Sequence, residues 1–318
     1  MNREIIKLIN LGQYLPIVFF SVAMFFFFSN HQVSNDLESY VLLSQRIQGE
    51  DLSESFSREL VEPLYLLLYW LLSNNLAPIY VFTIAGFLPL MTKIYILRKN
   101  LTYGVFAIVF YSLTYLHMHD TNAIRVGAAS CVILYLLTKR DYSSNFMIIL
   151  YALVAVTLHY SAIVILALLF INRPFLILIG IASVSFVFEY ILGISAVFED
   201  FQRWGNASEN NVSITSPFLI LHGIIAVSLT LSWNHLTYPQ KKGAIFIFLG
   251  FLFYVFFLKY PVVSVRMREL GFLGIFSVLF SEKLKFTIQN YFIYLASFLY
   301  VFLLFAEVFT ELYSTNVQ

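Results

Sequence analysis

Charge is what this sequence has least of. Only 12% of its 318 residues are Asp, Glu, Lys or Arg, where a soluble domain of that size carries about a quarter. That shortfall excludes a water-soluble fold. A single cysteine, Cys131, excludes any disulfide within the chain and reads as a small core residue in a helix. There is no phosphate-cradling glycine loop, no paired-histidine zinc motif and no nucleophile elbow, which disfavours ATP-driven transport and zinc or serine proteolysis. No soluble domain and no repeat of 20 to 50 residues stands out. Nothing in a net charge of +1 points to a nucleic-acid partner.

What is present is apolar. Hydrophobic residues make up 60% of the chain, the mean hydropathy is +0.80, and runs such as Leu15 to Phe28 recur along its length. The chain therefore reads as an all-α, polytopic integral membrane protein whose immediate environment is the lipid bilayer. Its 34 Phe and 21 Tyr exceed what interfacial anchoring needs. Such rings can pack helices or line a path for a polyisoprenoid tail. Arg3 and Lys7 precede the first apolar stretch, but only Ser29-Asn30-His31-Gln32 follows it, with no small-residue cleavage site, so it reads as an uncleaved first span.

Placing Lys and Arg on the cytoplasmic side orders the rest. Span one runs from Gln13 to Ser29 and leads to an outer segment, 30–77, carrying Asp36, Glu38, Glu50, Asp51, Glu54, Glu59 and Glu62. Within it, Pro63 to Leu72 is too short to cross and reads as an interfacial helix. Further spans cover Pro78 to Leu97, Thr102 to His117 and Ala123 to Thr138, with a polar corner from His117 to Asn122 between the last two. Asn145 to Ile171 has His159 at its middle and reads as a short helical hairpin broken there. Phe175 to Leu192, an outer loop at 193–215, and spans at Ser216 to Trp233, Gly243 to Lys259, Val262 to Ser281 and Asn290 to Phe309 complete about eleven crossings in one transmembrane domain, 1–318. Twelve of the nineteen cations, Lys93 among them, fall inside on this scheme.

The chemistry is expected where cations break that rule. Arg125 opens a span, beside Asn122 and Gly127, and Arg266 and Arg268 open another just after Pro261. Arginine beside hydrocarbon is costly unless something anionic uses it, and its planar fork matches two phosphate oxygens. A helix N-terminus adds free amides and a partial positive charge. Each arginine could alternatively snorkel or pair with an outer carboxylate. Arg266 and Arg268, two apart, point in different directions, so that one can bind ligand while the other pairs with Glu269. His159 can bridge helices, donate to a phosphate or shuttle a proton. Asp36, in Ser34-Asn35-Asp36-Leu37-Glu38-Ser39-Tyr40, is either a general base or a solvated loop acid. His117, His119 and Asp120 lack the spacing of a metal site.

Taken in order, Asp36 to Tyr40, Glu62-Pro63-Leu64, Asn122-Ala123-Ile124-Arg125, Leu158-His159-Tyr160-Ser161-Ala162 and the late arginine pair resemble the EpsG-like proteins, which are grouped with Wzy-type polymerases of O-antigen, capsule and exopolysaccharide. The resemblance spans most of residues 30 to 270. It implies a multi-pass protein of the bacterial inner membrane, compatible with a GT-C-like arrangement, acting at the periplasmic face as an inverting, metal-independent glycosyltransferase without cofactor. The substrate it implies is an undecaprenyl-diphosphate-linked oligosaccharide, whose nascent glycan passes to a new lipid-linked repeat unit, with a chain-length regulator and a flippase as partners. On that reading Asp36, Arg125, His159 and Arg266 are catalytic, and Arg268, Glu38, Tyr40, His119, Asn122 and Arg203 bind substrate. An O-antigen ligase or other lipid-linked-sugar transferase would use a similar anion site. A flippase would instead line a central cavity with its charges.

Overall fold

The computed structural model describes residues 3–30, 37–59, 61–139, 144–171, 216–258, 261–282, 284 and 287–315. Every regular element among them is helical. Three helices, Pro78–Asn100, Tyr238–Phe256 and Ile288–Ala306, are long and apolar enough to cross a membrane unaided, and six shorter apolar helices accompany them. The architecture is that of a helical membrane protein, as the composition requires. The chain divides into two compact units, one comprising 1–138, 150–162 and 301–318 and the other 139–149 and 163–300.

The first unit is organised by α5 (Pro78–Asn100). Pro78 suits the first helical position, where its missing N–H costs nothing, and Arg98 and Lys99 in the last turn complement the helix dipole. One face, Val81, Phe82, Gly86, Leu90, Lys93, Ile94 and Leu97, is buried, whereas Ile79, Tyr80, Leu88 and Tyr95 project outward. An outward face this apolar is suited to lipid. Against α5 lie α1 (Arg3–Asn30), α6 (Gly104–Tyr115) and α7 (Ile124–Thr138). Ser21 and Ser112 link α1 to α6 through their hydroxyls at 2.7 Å.

Between α6 and α7 the chain does not make an exposed polar corner. Leu116–Asn122 forms a π-helical turn, and His117, His119, Asp120 and Thr121 within it are buried. Two glycines admit it. The Asp120 carbonyl lies where a Cβ on residue 86 would stand, and the His119 carbonyl does the same at residue 127. Gly86 lies eight residues into α5, roughly 12 Å along its axis at 1.5 Å per residue, so the turn is recessed well below the Pro78 end. Lys93, expected among the cytoplasmic cations, is instead fully buried. Its ammonium donates to Asp120 Oδ1 at 2.6 Å and to the Tyr111 hydroxyl at 2.8 Å, and that hydroxyl donates to Asp120 Oδ2 at 2.6 Å. Lys93 therefore serves an internal ion pair and carries no weight in orienting the chain.

The acidic segment before α5 is built from three helices, α2 (Leu37–Ile47), α3 (Leu52–Arg58) and α4 (Pro63–Ser73). Tyr40, Leu43, Ser44 and Ile47 form one stripe of α2, and Tyr65, Leu66, Tyr69 and Ser73 form the stripe of α4 that meets it. The Ser44 and Ser73 hydroxyls close this contact at 2.8 Å. Gly49, at φ 79°, makes the turn after α2, and its N–H donates to the Asn74 side chain at 2.9 Å. Leu68 and Leu71 leave an apolar outer face on α4, as an interfacial helix needs. Glu50 and Glu59 are met by Arg46 and Arg58, on the surface.

After α7, α8 (Asn145–Leu158) stops at His159, and a 3-10 helix, Tyr160–Phe170, follows it directly. The interruption falls at the residue where the polar group in an apolar run placed it. In the second unit, α9 (Pro217–Leu231), α10 (Tyr238–Phe256), α11 (Pro261–Phe272) and α12 (Gly274–Phe280) precede α13 (Ile288–Thr315), whose residues from 301 on belong to the first unit. Here α10 meets α11 and α12 backbone to backbone, with Gly250 against Gly271 and Gly243 against Gly274. Small residues at a crossing allow such close approach in a membrane bundle. The expected span Val262 to Ser281 is thus two helices joined at Leu273.

Candidate functional site

Four of the motifs that are remote in sequence meet in the first unit. Glu62 is the residue before α4, the helix read from the sequence as interfacial, where its backbone carbonyl accepts from the Leu66 N–H and its side chain is free to turn inward. Arg125 opens α7, and His159 occupies the break after α8. Arg125 Nη1 donates to Glu62 Oε2 at 2.8 Å, and His159 Nδ1 lies 2.7 Å from Glu62 Oε1. The Tyr160 N–H, at the start of the 3-10 helix, also points at Oε1, at 3.4 Å. Arg125 also donates a side-chain hydrogen bond to Tyr40.

Exposure is distributed unevenly across this cluster. The Glu62 side chain is 2% exposed, that of His159 19% and that of Arg125 27%. The carboxylate is therefore sealed behind the two groups it holds, which themselves remain accessible. Burial pushes the Glu62 carboxyl upward, but the His159 hydrogen bond and the Arg125 charge outweigh it and carry the group down to about 2. An ionised carboxylate only accepts hydrogen bonds, so His159 Nδ1 must be the donor. That leaves Nε2 as the ring's reactive position. Glu62 thus fixes a cation and an imidazole on its two oxygens.

Around the cluster stands an aromatic wall. The Tyr40 ring lies 6.3 Å from Tyr65, 6.2 Å from Tyr69 and 5.9 Å from Phe82, and the Tyr69 hydroxyl donates to the Tyr40 carbonyl at 3.3 Å. Ile124, next to Arg125, packs into the same group. The start of α7 is thereby locked to α2, α4 and the first turns of α5.

A model of the EpsG family matches residues 13–317. The chain belongs to the EpsG family. That EpsG-like family is associated with Wzy-type polymerases. No curated protein and no solved structure matches the chain.

The remaining expected site residues of this EpsG-family chain fall in several places. Asp36 and Arg203 lie outside the described residues. Glu38 is exposed in the first turn of α2, two residues from Tyr40. Asn122 ends the π-helical turn. His119, expected to bind substrate from the polar corner, is fully buried, with its ring 4.9 Å from that of Tyr115.

Arg266 and Arg268 belong to the second unit. They diverge as their spacing required. Arg266 is 29% exposed and donates to Glu269 at 3.1 Å, and Arg268 is buried with its guanidinium 4.8 Å over Phe218 and 5.5 Å over Tyr254. Glu62 is the candidate residue to which sequence reasoning gave no role in the site, although it stands in the Glu62-Pro63-Leu64 motif. Its signal was its place directly before the apolar helix, together with the need of a recessed arginine for an anion.

Proposed function

We propose that this chain is a polysaccharide polymerase that transfers a nascent glycan from undecaprenyl diphosphate to a new lipid-linked repeat unit. On this reading the chain crosses the inner membrane about eleven times and presents the Glu62 cluster toward the periplasm, with no cofactor or metal taking part. Its partners are the lipid-linked oligosaccharide, a flippase that delivers it and a chain-length regulator. The observation that carries the proposal is the accessible Arg125, held on Glu62 beside His159.

In the reaction a hydroxyl of the incoming repeat unit attacks the anomeric carbon of the nascent glycan. The bond from that carbon to the diphosphate oxygen breaks, and the electron pair leaves with the diphosphate. Negative charge grows on the leaving group, so a guanidinium fixed in advance stabilises the transition state more than the ground state. Arg125 takes this role. Glu62 prevents Arg125 from relaxing away as the charge moves.

The attacking hydroxyl must also lose a proton. The family resemblance offers Asp36, with Glu38 in reserve. The bond from His159 Nδ1 to Glu62 favours a second reading, in which Nε2 accepts that proton while the carboxylate fixes tautomer and ring orientation. Glu62 itself, held near 2, is too weak a base.

The test is incubation of the purified protein with synthetic lipid-linked repeat units, with the products resolved by length. The wild type is expected to give a ladder. Arg125→Ala should reach the membrane folded and lose about 10²- to 10³-fold in rate, the typical effect of removing one preorganised donor. An unchanged ladder from Arg125→Ala would remove it from the site.

A further inference from the structure

Two hydroxyls beside the Glu62 cluster are buried without a hydrogen-bond partner among the described residues, that of Tyr65 and that of Ser161. Tyr65 is the more telling. It lies three residues after Glu62 on α4, is 2% exposed, and stands among Tyr40, Tyr69, Arg125 and Glu62. Its neighbour Tyr69 does find a carbonyl, that of Tyr40, at 3.3 Å. A buried phenol normally finds one too, because an unmet O–H in an apolar setting is destabilising. Burial pushes the Tyr65 phenol well above its ordinary value, which keeps it a neutral donor. Ser161 is placed comparably, two residues after His159, where a serine in a helical turn would usually bond back to a carbonyl of the preceding turn.

The groups here have a common character. Arg125 can only donate, the Tyr65 phenol has a hydrogen and no acceptor for it, and the one carboxylate is already occupied by Arg125 and His159. These donors fit a ligand rich in acceptors. A phosphate oxygen is the closest match to them, and a sugar hydroxyl would turn instead to His159 Nε2.

The geometry points to Tyr65 as a binding residue that donates its hydroxyl to a phosphate oxygen held at Arg125, with Ser161 as a second donor on the His159 side. This assignment rests on the diphosphate reading above and adds to it the residues that recognise the phosphate. No bond is made or broken at either hydroxyl.

Tyr65→Phe isolates the claim, since it removes one hydroxyl and leaves the ring packing in place. The full-length protein is purified in detergent, and its melting temperature and affinity for undecaprenyl diphosphate and for inorganic diphosphate are measured beside Arg125→Ala and Ser161→Ala. Tyr65→Phe is expected to melt at or above the wild-type temperature in the absence of either probe. It should bind undecaprenyl diphosphate about ten-fold more weakly, the loss of one hydrogen bond to a charged group. Ser161→Ala should show a smaller loss of the same kind. The same penalty with inorganic diphosphate places the contact on the phosphate head, and a penalty absent there overturns the phosphate assignment. A Tyr65→Phe protein that binds as the wild type does, or that melts several degrees lower without probe, overturns the inference. If Arg125→Ala loses binding while Tyr65→Phe does not, only this inference fails. A wild type that binds neither probe and makes no ladder defeats the polymerase reading as well.

Discussion

The first unit contains two buried acid–base clusters that differ in one respect. In the Lys93–Asp120 pair both side chains are 0% exposed and Tyr111 bonds to both partners. In the Arg125–Glu62 pair the acid is equally hidden, but the cation is 27% exposed and a histidine shares the carboxylate. The chemistry of attraction is the same. The closed pair has no face left for a ligand, so its effect is confined to the fold, where it ties α5 to the π-helical turn that precedes α7. The open pair hides its anion and presents its cation. In the second unit Arg266 with Glu269, at 29% and 5%, follows the open pattern. Arg268 is buried against rings. Accessibility of the cation is what separates a candidate site from a structural clasp.

The comparison is broken most forcefully at the closed pair. Lys93→Met leaves Asp120 buried without its counter-charge, and removing one partner of such a pair costs about 3–5 kcal/mol. The variant is expected to melt far below the wild type in detergent, while the fraction that folds polymerises at the normal rate per molecule. Replacing Asp120 with Leu in the same chain should recover part of the stability, because the unpaired charge is then gone. A Lys93→Met protein of normal stability that makes no ladder would move the closed pair into the site.

At the open pair the expected change is in rate. Glu62→Gln keeps the size of the side chain and removes its charge, so Arg125 and His159 each lose a charge-assisted hydrogen bond. One such bond is worth about 1.5–3 kcal/mol, which corresponds to roughly 10- to 100-fold in polymerisation rate. Full activity in the glutamine variant would show that Arg125 and His159 are positioned without the carboxylate.

Legibility in the sequence followed the cost of each group. Arg125 and His159 stood out because a charged or polar side chain in an apolar segment demands a reason, and the structure brings both to one carboxylate. Glu62 did not stand out, being one of seven acids between residues 30 and 77. Only the apolar run directly after it sets it apart. Lys93 was misplaced because it lies five residues before Arg98 and resembles the basic end of a span. Helical periodicity would have put it on the stripe of Gly86, Leu90 and Leu97, facing inward. The turn at Leu116–Asn122 was hidden for another reason. Its polar residues read as a loop, and what buries them is the missing Cβ at Gly86 and Gly127, a contact distant in sequence. The helical class and the break at His159 needed no such contact, since composition and a single polar residue in a long apolar run decide them.

The smallest effect sharpens the comparison at Glu62 alone. Its carboxyl is held at about 2 in the folded protein, below the ordinary glutamate value of about 4.3. A depressed acid contributes stability that is fully present above its unfolded value and is lost as pH falls through the folded one. Wild type and Glu62→Gln should therefore differ by a constant amount in melting temperature from neutral pH down to about 5, and the gap should narrow between about 5 and about 2. Near neutral pH the group never changes state, so any pH dependence of the polymerisation rate must arise elsewhere. A gap that stayed constant into acid would mean that the carboxylate is not held by its two partners, and the distinction between the open and the closed pair would then rest on exposure alone.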